Sequence, residues 1–193
     1  MLQRSLIIIF GLLFTNSAYA HEFWISPVNY EIGINKPFEA HFRIGQNFNG
    51  SSYNFLETNT KRHEVMQAGK IIKVSARNGD RPAFQLPGLP NGLAILVHET
   101  SNNVLKYTDF EKFINFVNHK SFQGLPQEHI SRGLPKIDFN ESYSRHAKSL
   151  VAIGDGAGKD VSVGLKIEII ALTNPYTDDL SNGMYVQVFM AGQ

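Results

Sequence analysis

The chain has 193 residues, of which 42% are hydrophobic and 18% charged, with a formal net charge of +1 at pH 7 and no cysteine. A chain of this length supports one domain with its own core. The balanced charge lacks the basic surface that a nucleic-acid partner requires. The absence of cysteine excludes disulfides, zinc–thiolate sites and thiol catalysis. A metal ion could therefore be held only by imidazole, carboxylate, backbone atoms or the amino terminus.

Residues 1–20 predict a secretory signal peptide. A single charge at Arg4 precedes the apolar run Leu6–Phe14, which is shorter than the roughly 20 apolar residues of a membrane-spanning helix. The small residues Ala18 and Ala20 then form a cleavage site, with cleavage predicted between Ala20 and His21. An uncleaved membrane anchor is the alternative, and the short run disfavours it. In a Gram-negative bacterium we expect a periplasmic protein that begins at His21 and does not insert into the membrane.

Beyond the signal, most of the chain follows the alternating pattern of half-buried strands. The segment Phe38–Ile44 places its apolar side chains on one face and His41, with its charged neighbours, on the other. Four further segments predict strands: Lys70–Ala76, Ala94–His98, Leu165–Ala171 and Met184–Phe189. Short strands at regular spacing, separated by turn residues, predict a mainly β fold, an immunoglobulin-like antiparallel β-sandwich.

One segment has helical periodicity instead. Phe110, Phe113, Ile114 and Val117 recur at helical spacing, and Asp109 precedes them as an N-cap. We therefore expect one short inserted helix that packs on the sandwich core.

The common catalytic motifs fail on spacing. The loop Gly154–Asp160 lacks the first glycine and the hydroxyl residue of a phosphate-binding loop. His98-Glu99 begins like a zinc-protease helix, but Asn102 occupies the position of the second histidine, and no Gly-x-Ser-x-Gly elbow occurs. The prediction is a binding protein and not an enzyme.

His21 is the strongest candidate ligand because cleavage would give it a second donor. A free α-amino group and the imidazole of the same residue can chelate one metal ion. The pKa of the α-amino group is about 7.7–8.0. A second imidazole would complete a three-nitrogen set suited to Cu²⁺ or Ni²⁺; His41 is the first candidate and His98 the second. His119 and His129 are expected in a surface loop. The alternative is that the signal peptidase tolerates histidine here and that the terminus is frayed.

The residues after the cleavage site resemble the domain-of-unknown-function 4198 family. The resemblance covers the mature chain and is carried by six segments: His21–Ile25, Arg43–Gly45 with Phe48 and Gly50, Phe110–Phe116, Glu141–Arg145 with Ala147, Lys148, Leu150 and Val151, Gly164–Glu168 and Asn174–Tyr176. It implies an immunoglobulin-like domain in a periplasmic metal-handling component linked to nickel or cobalt uptake. The implied cofactor is a divalent transition metal, and the implied partner is a membrane metal transporter.

The resemblance also suggests a domain division. Family members usually continue from the strand at Met184–Phe189 into a further transthyretin-like β domain, whereas this sequence ends at Gln193. We expect an immunoglobulin-like domain over residues 21–175, followed by a terminal strand in residues 176–193 that is the remnant of a truncated second β domain.

The leading functional hypothesis is a periplasmic protein that binds nickel, cobalt or copper. One alternative is a copper monooxygenase acting on polysaccharide, since such enzymes also use a processed N-terminal histidine on a β-sandwich. Another is a metal-free module that binds a partner protein or a glycan.

Overall fold

A computed structural model describes residues 22–190, which form thirteen strands, two α-helices and a short 3-10 turn at Glu57–Asn59. The strands are β1 (Glu22–Pro27), β2 (Glu31–Ile32), β3 (Phe38–Gln46), β4 (Asn49–Tyr53), β5 (Thr60–Gln67), β6 (Lys70–Lys73), β7 (Phe84–Leu86), β8 (Gly92–Thr100), β9 (Asn103–Tyr107), β10 (Phe139–Tyr143), β11 (His146–Ile153), β12 (Ile167–Ala171) and β13 (Val186–Met190). The helices are α1 (Phe110–His119) and α2 (Leu125–Ser131). Within residues 22–190, neither helix is long enough and apolar enough to cross a membrane.

Two sheets pack face to face, which confirms the predicted β-sandwich. The first sheet has the order β1-β3-β4, with β7 paired to β3, and the second has the order β2-β11-β8-β5-β6. All of these pairs are antiparallel except β2 with β11. The main core lies between the sheets and draws side chains from both, with Phe42 and Phe84 on one side and Val65 and Leu96 on the other.

Burial along β3 and β8 shows how the sandwich is layered. Phe38, Ala40 and Phe42 of β3 are buried, whereas the residues between them point outward, as the alternation predicts. Strand β8 is buried at almost every position, because both of its faces are covered. Its outer face packs against Val163 and Leu165, which form a second, smaller apolar cluster.

The helical insertion differs from the expectation. Helix α1 forms where it was predicted, and Asp109 caps it by accepting a hydrogen bond from the Lys112 backbone nitrogen at 3.0 Å. However, α1 packs with β9 and β10 around Tyr107, Phe113 and Phe139, in a cluster separate from the sandwich core.

A second short helix, α2, follows where the sequence analysis expected a loop. Its first turn contains Pro126, and its seven residues are too few to show a clear period. His119 is therefore the last residue of α1, and His129 is a buried residue of α2 that contacts Phe139; neither lies in a surface loop. The two-stranded ladder of β9 and β10 and both helices form a lobe that is inserted in the sequence between β8 and β11.

The last two strands form a two-stranded antiparallel sheet of their own. Strand β12 pairs with β13 from Ile167 opposite Met190 to Ala171 opposite Val186. The domain boundary suggested after residue 175 therefore falls between two strands that pair with each other. The described end of the chain is held through β12 to the rest of the molecule.

Candidate metal centre

The proposed principal ligand, His21, lies outside the described residues, but the point to which it is joined is well defined. Glu22 is the first residue of β1 and pairs with Gly45 of β3. The Cα atom of His21, which would carry the α-amino group, is covalently tied about 3.8 Å from the Cα atom of this paired residue. A metal ion bound by this amine would therefore lie near the start of β1.

His41 lies away from the start of β1. It sits opposite Ser26, whereas Glu22 sits opposite Gly45, so four residue steps of roughly 3.3 Å each separate the two positions along the ladder. The side chain points away from the core, and its Nδ1 lies 3.0 Å from the Ser52 hydroxyl oxygen. The structure thus places His41 on the outward face, as the alternation predicted, but does not bring it to the beginning of β1.

His98 lies beside the start of β1, inside the sandwich. It is 3% exposed, and its ring centre is 5.6 Å from that of Phe23 and 4.1 Å from that of Phe42. Phe42 faces the core and its neighbour His41 faces outward, so His41 and His98 lie on opposite sides of the first sheet. Of the two candidates for the second imidazole, the structure brings His98 near the start of β1.

The structure adds a histidine that the sequence analysis did not select. His63 of β5 pairs directly with His98 of β8, and their ring centres are 5.7 Å apart. The Nε2 of His63 is 3.1 Å from the Ala83 carbonyl oxygen, which can only accept, so Nε2 carries the proton. The Nδ1 atoms of both rings are buried without a hydrogen-bond partner. The alternation of β5 could have indicated that His63 faces inward, but only the strand register places it against His98.

Burial keeps both of these imidazoles neutral. Desolvation lowers the pKa of His63 to about 4, and the hydrogen bond to Ala83 only partly offsets it. Desolvation, followed by the neighbouring His63, lowers the pKa of His98 to about 3 against the opposing effect of a hydrogen bond to the Arg62 backbone. Because protons compete with metal ions for imidazole nitrogen, both side chains are available as ligands throughout the neutral range.

A third buried ring nitrogen without a partner belongs to His146, but it lies elsewhere. His146 pairs with Glu99, and Ala147 pairs with His98, so strand alternation puts His146 on the other face of the second sheet. Its Nε2 is 3.1 Å from the Ser144 hydroxyl, and burial lowers its pKa. It does not join the His63–His98 pair.

A cleft of about 320 Å³ opens beside His98. Its walls include Phe23, Ile44, Tyr143 and Arg145, which come from three of the segments that carry the family resemblance. The Arg145 guanidinium lies 5.4 Å from the centre of the Tyr143 ring. This cleft is the route from solvent toward His98 and the start of β1.

Trp24, the single tryptophan of the chain, lies on the outward side of β1. Its ring is partly buried and meets that of Phe48 edge-on, with 5.8 Å between ring centres. The tryptophan is thus partly covered and is not presented as a flat exposed face.

Within residues 22–190, no three His, Asp or Glu side chains come together in a group able to hold a metal ion. A metal centre built with these residues would therefore use the histidine pair, ligands from His21, or both.

Comparison with known proteins gives one assignment. Searches of curated proteins and of solved structures found no match. The family described as "Domain of unknown function (DUF4198)" matches residues 18–193, which includes β1, the histidine pair and the cleft. This chain belongs to the DUF4198 family.

Proposed function

We propose that this chain is a periplasmic protein that binds nickel, cobalt or copper as an accessory component of metal uptake. In this proposal the signal peptide is removed before His21, and the new α-amino group and the His21 imidazole chelate the ion. His98 supplies the second imidazole. The protein delivers the ion to a membrane transporter and does not transform a substrate.

The observation that carries the proposal is the position of His98. Pairing of Glu22 with Gly45 fixes the beginning of β1, and the next side chain, Phe23, contacts the His98 ring. The start of the mature chain is thus tied to a place where a neutral imidazole has a buried Nδ1 without a partner. Two nitrogens of His21 and one of His98 make a three-nitrogen set, which suits Cu²⁺ and Ni²⁺.

The proposal requires that the amine be free and located at His21. The test is titration of Cu²⁺ or Ni²⁺ into correctly processed protein and into a form with one alanine added ahead of His21. The extension turns the chelating amine into a poorly donating amide, so we expect at least about a tenfold loss of affinity, comparable to the loss of a supporting group in a metal site.

His41→Ala is the matched control, because that histidine is an outward side chain distant from the start of β1. We expect it to leave the affinity unchanged, whereas His98→Phe should reduce it. Equal affinity of the processed and extended proteins would show that the amine is not a ligand and would refute the proposal.

A further inference from the structure

The histidine pair inside the sandwich, His63 and His98, has buried ring nitrogens without hydrogen-bond partners. His63 donates from Nε2 to the Ala83 carbonyl. The Arg62 backbone acts to raise the pKa of His98, and the Nδ1 of His98, like that of His63, is buried without a hydrogen-bond partner. In the neutral His63 ring, whose Nε2 carries the proton, Nδ1 is a lone-pair acceptor. The two Nδ1 atoms without partners belong to directly paired residues of β5 and β8, and a buried acceptor left unsatisfied costs about 1–3 kcal/mol.

This arrangement matches the way in which metal-binding histidines are held. A ligating histidine usually donates its second ring nitrogen to a backbone carbonyl or carboxylate, which fixes the tautomer and leaves the other nitrogen for the metal. His63 meets this condition through its bond to Ala83, and His98 beside it also keeps a buried Nδ1 without a partner. A ligating nitrogen lies roughly 2 Å from a metal, so two imidazoles on one ion have ring centres roughly 5 Å apart at a tetrahedral angle and roughly 6 Å apart when the two nitrogens and the ion are collinear. The separation of 5.7 Å between these rings falls within that range.

The surroundings of the pair select the kind of ion. Phe42 lies 4.1 Å from His98 and Phe84 lies 4.1 Å from His63, measured between ring centres. The carboxylates adjacent in sequence, Glu64 and Glu99, alternate onto the opposite face of the sheet. The desolvation cost of an ion rises steeply with its charge, so a buried site limited to two neutral ligands favours a monovalent cation over a divalent one, whereas the set that includes His21 has a third donor. Aromatic faces, by contrast, attract a desolvated cation.

We propose that His63 and His98 form an internal two-nitrogen site for Cu⁺, bound through the two Nδ1 atoms. Copper accepts imidazole ligands, and the monovalent ion can be held by two of them. The ion enters through the cleft beside His98, past Phe23. This site goes beyond the proposed function, because it requires neither a free amine nor His21. His98 is common to both proposals, whereas His63 belongs only to the internal site.

The test is an anaerobic competition for Cu⁺ between the protein and a chromogenic chelator, using the form with one alanine ahead of His21. We expect one tightly bound Cu⁺ per chain, with X-ray absorption showing two nitrogen ligands and no sulfur. His63→Phe removes a direct ligand and should weaken binding by more than about 100-fold, beyond the roughly 10–100-fold that loss of an outer-shell partner typically costs.

His129→Phe is the matched control, because His129 is also buried, packs against Phe110 and Phe139, and has Nε2 2.8 Å from the Pro135 carbonyl. We expect it to leave Cu⁺ affinity unchanged. Circular dichroism establishes that the variants are folded. If His63→Phe does not fold, nitrogen NMR of the unsubstituted protein replaces it, with large shifts expected at both Nδ1 atoms on addition of Cu⁺.

Absence of Cu⁺ binding, equal affinity after His63→Phe, or unshifted Nδ1 resonances would each overturn the internal site, and a buried water would then satisfy the two lone pairs. Failure of the proposed function looks different, since it would appear as divalent-ion binding that is insensitive to the added alanine.

Discussion

Replacement of Lys148 by methionine should destabilise the attachment of β12 and β13 to the sandwich. The Lys148 Nζ lies 2.8 Å from Asp160 Oδ1 and 3.0 Å from Glu168 Oε1, and the three side chains are 9%, 3% and 1% exposed. Lys148 belongs to β11 of the main sheet, and Glu168 belongs to β12. Asp160 also accepts a hydrogen bond from the Ala171 backbone nitrogen at 2.8 Å. The buried ion cluster therefore joins the β12–β13 hairpin to the sandwich.

The expected cost follows from what remains after the lysine is removed. Removing one partner from a buried ion pair typically costs 3–5 kcal/mol, because it leaves an uncompensated charge. Glu168 keeps hydrogen bonds from the backbone nitrogens of Val163 at 2.7 Å and Gly164 at 3.1 Å. We therefore expect a loss of about 3 kcal/mol at pH 7, at the lower end of that range. For a chain of this size the melting temperature should fall by roughly 6–12 °C.

The cost should also depend on pH with a definite sign. Burial acts to raise the pKa of Glu168, but hydrogen bonds from Val163 and Lys148 outweigh it and hold the pKa below its usual value. A carboxyl with a lowered folded-state pKa contributes stability above its unfolded pKa and loses it as the pH falls through the folded value. Without Lys148 the Glu168 carboxylate protonates more readily, so the difference between variant and parent should shrink from pH 7 to pH 4.

The assay is urea unfolding at pH 7 and pH 4, with hydrogen exchange followed at Ile167–Ala171 and Val186–Met190. The matched control is Lys106→Met, which removes an exposed ion pair of similar length, 2.8 Å to Asp138; exposed pairs contribute about 0–1 kcal/mol. An unchanged unfolding free energy for Lys148→Met, or an equal loss for Lys106→Met, would refute the reasoning.

Two further predictions use the same unfolding assay. Gly45→Ala should destabilise the protein by about 1–3 kcal/mol, because the added Cβ would collide with the Asn49 backbone. In the control Gly33→Ala the added Cβ meets only a flexible side-chain carbon, so the unfolding free energy should change by no more than about 0.5 kcal/mol. Equal effects of the two substitutions would contradict the packing argument. The lowered pKa values of His63 (about 4) and His98 (about 3) mean that the unfolded chain binds protons first as the pH falls. Stability should therefore decline below pH 6.5, by roughly 3 kcal/mol for His63 alone by pH 4, and His63→Gln should flatten the decline; an unchanged slope would argue against a buried neutral imidazole.

Features that depend on near neighbours in sequence were accessible without the structure. The alternation of Phe38–Ile44 predicted both a strand and the outward direction of His41. Helix α1 was predicted with its cap because Asp109 acts on Lys112, three residues away. The resemblance of several segments to a family was likewise carried by the residues themselves, and the family match over residues 18–193 confirms it.

The arrangement of these elements was decided by tertiary structure. Helical periodicity shows that one face of α1 is apolar but not which apolar surface covers it, and the structure supplies Tyr107 and Phe139 in the separate lobe. Strand β8 is apolar and buried on both faces, so its sequence does not give the direction of His98, and the pairing of β5 with β8 is not readable from either strand alone.

The candidate site depends on that pairing. A strand's pattern has a period of two residues and is the same whichever strand lies beside it, so only the hydrogen-bonded register puts His63 against His98. The same register separates His41 from the start of β1. The sequence by itself determined the residue types available for binding and, for His41, the face on which it lies. The tertiary structure decided which of them meet, because distant strands are brought together by the burial of a shared core.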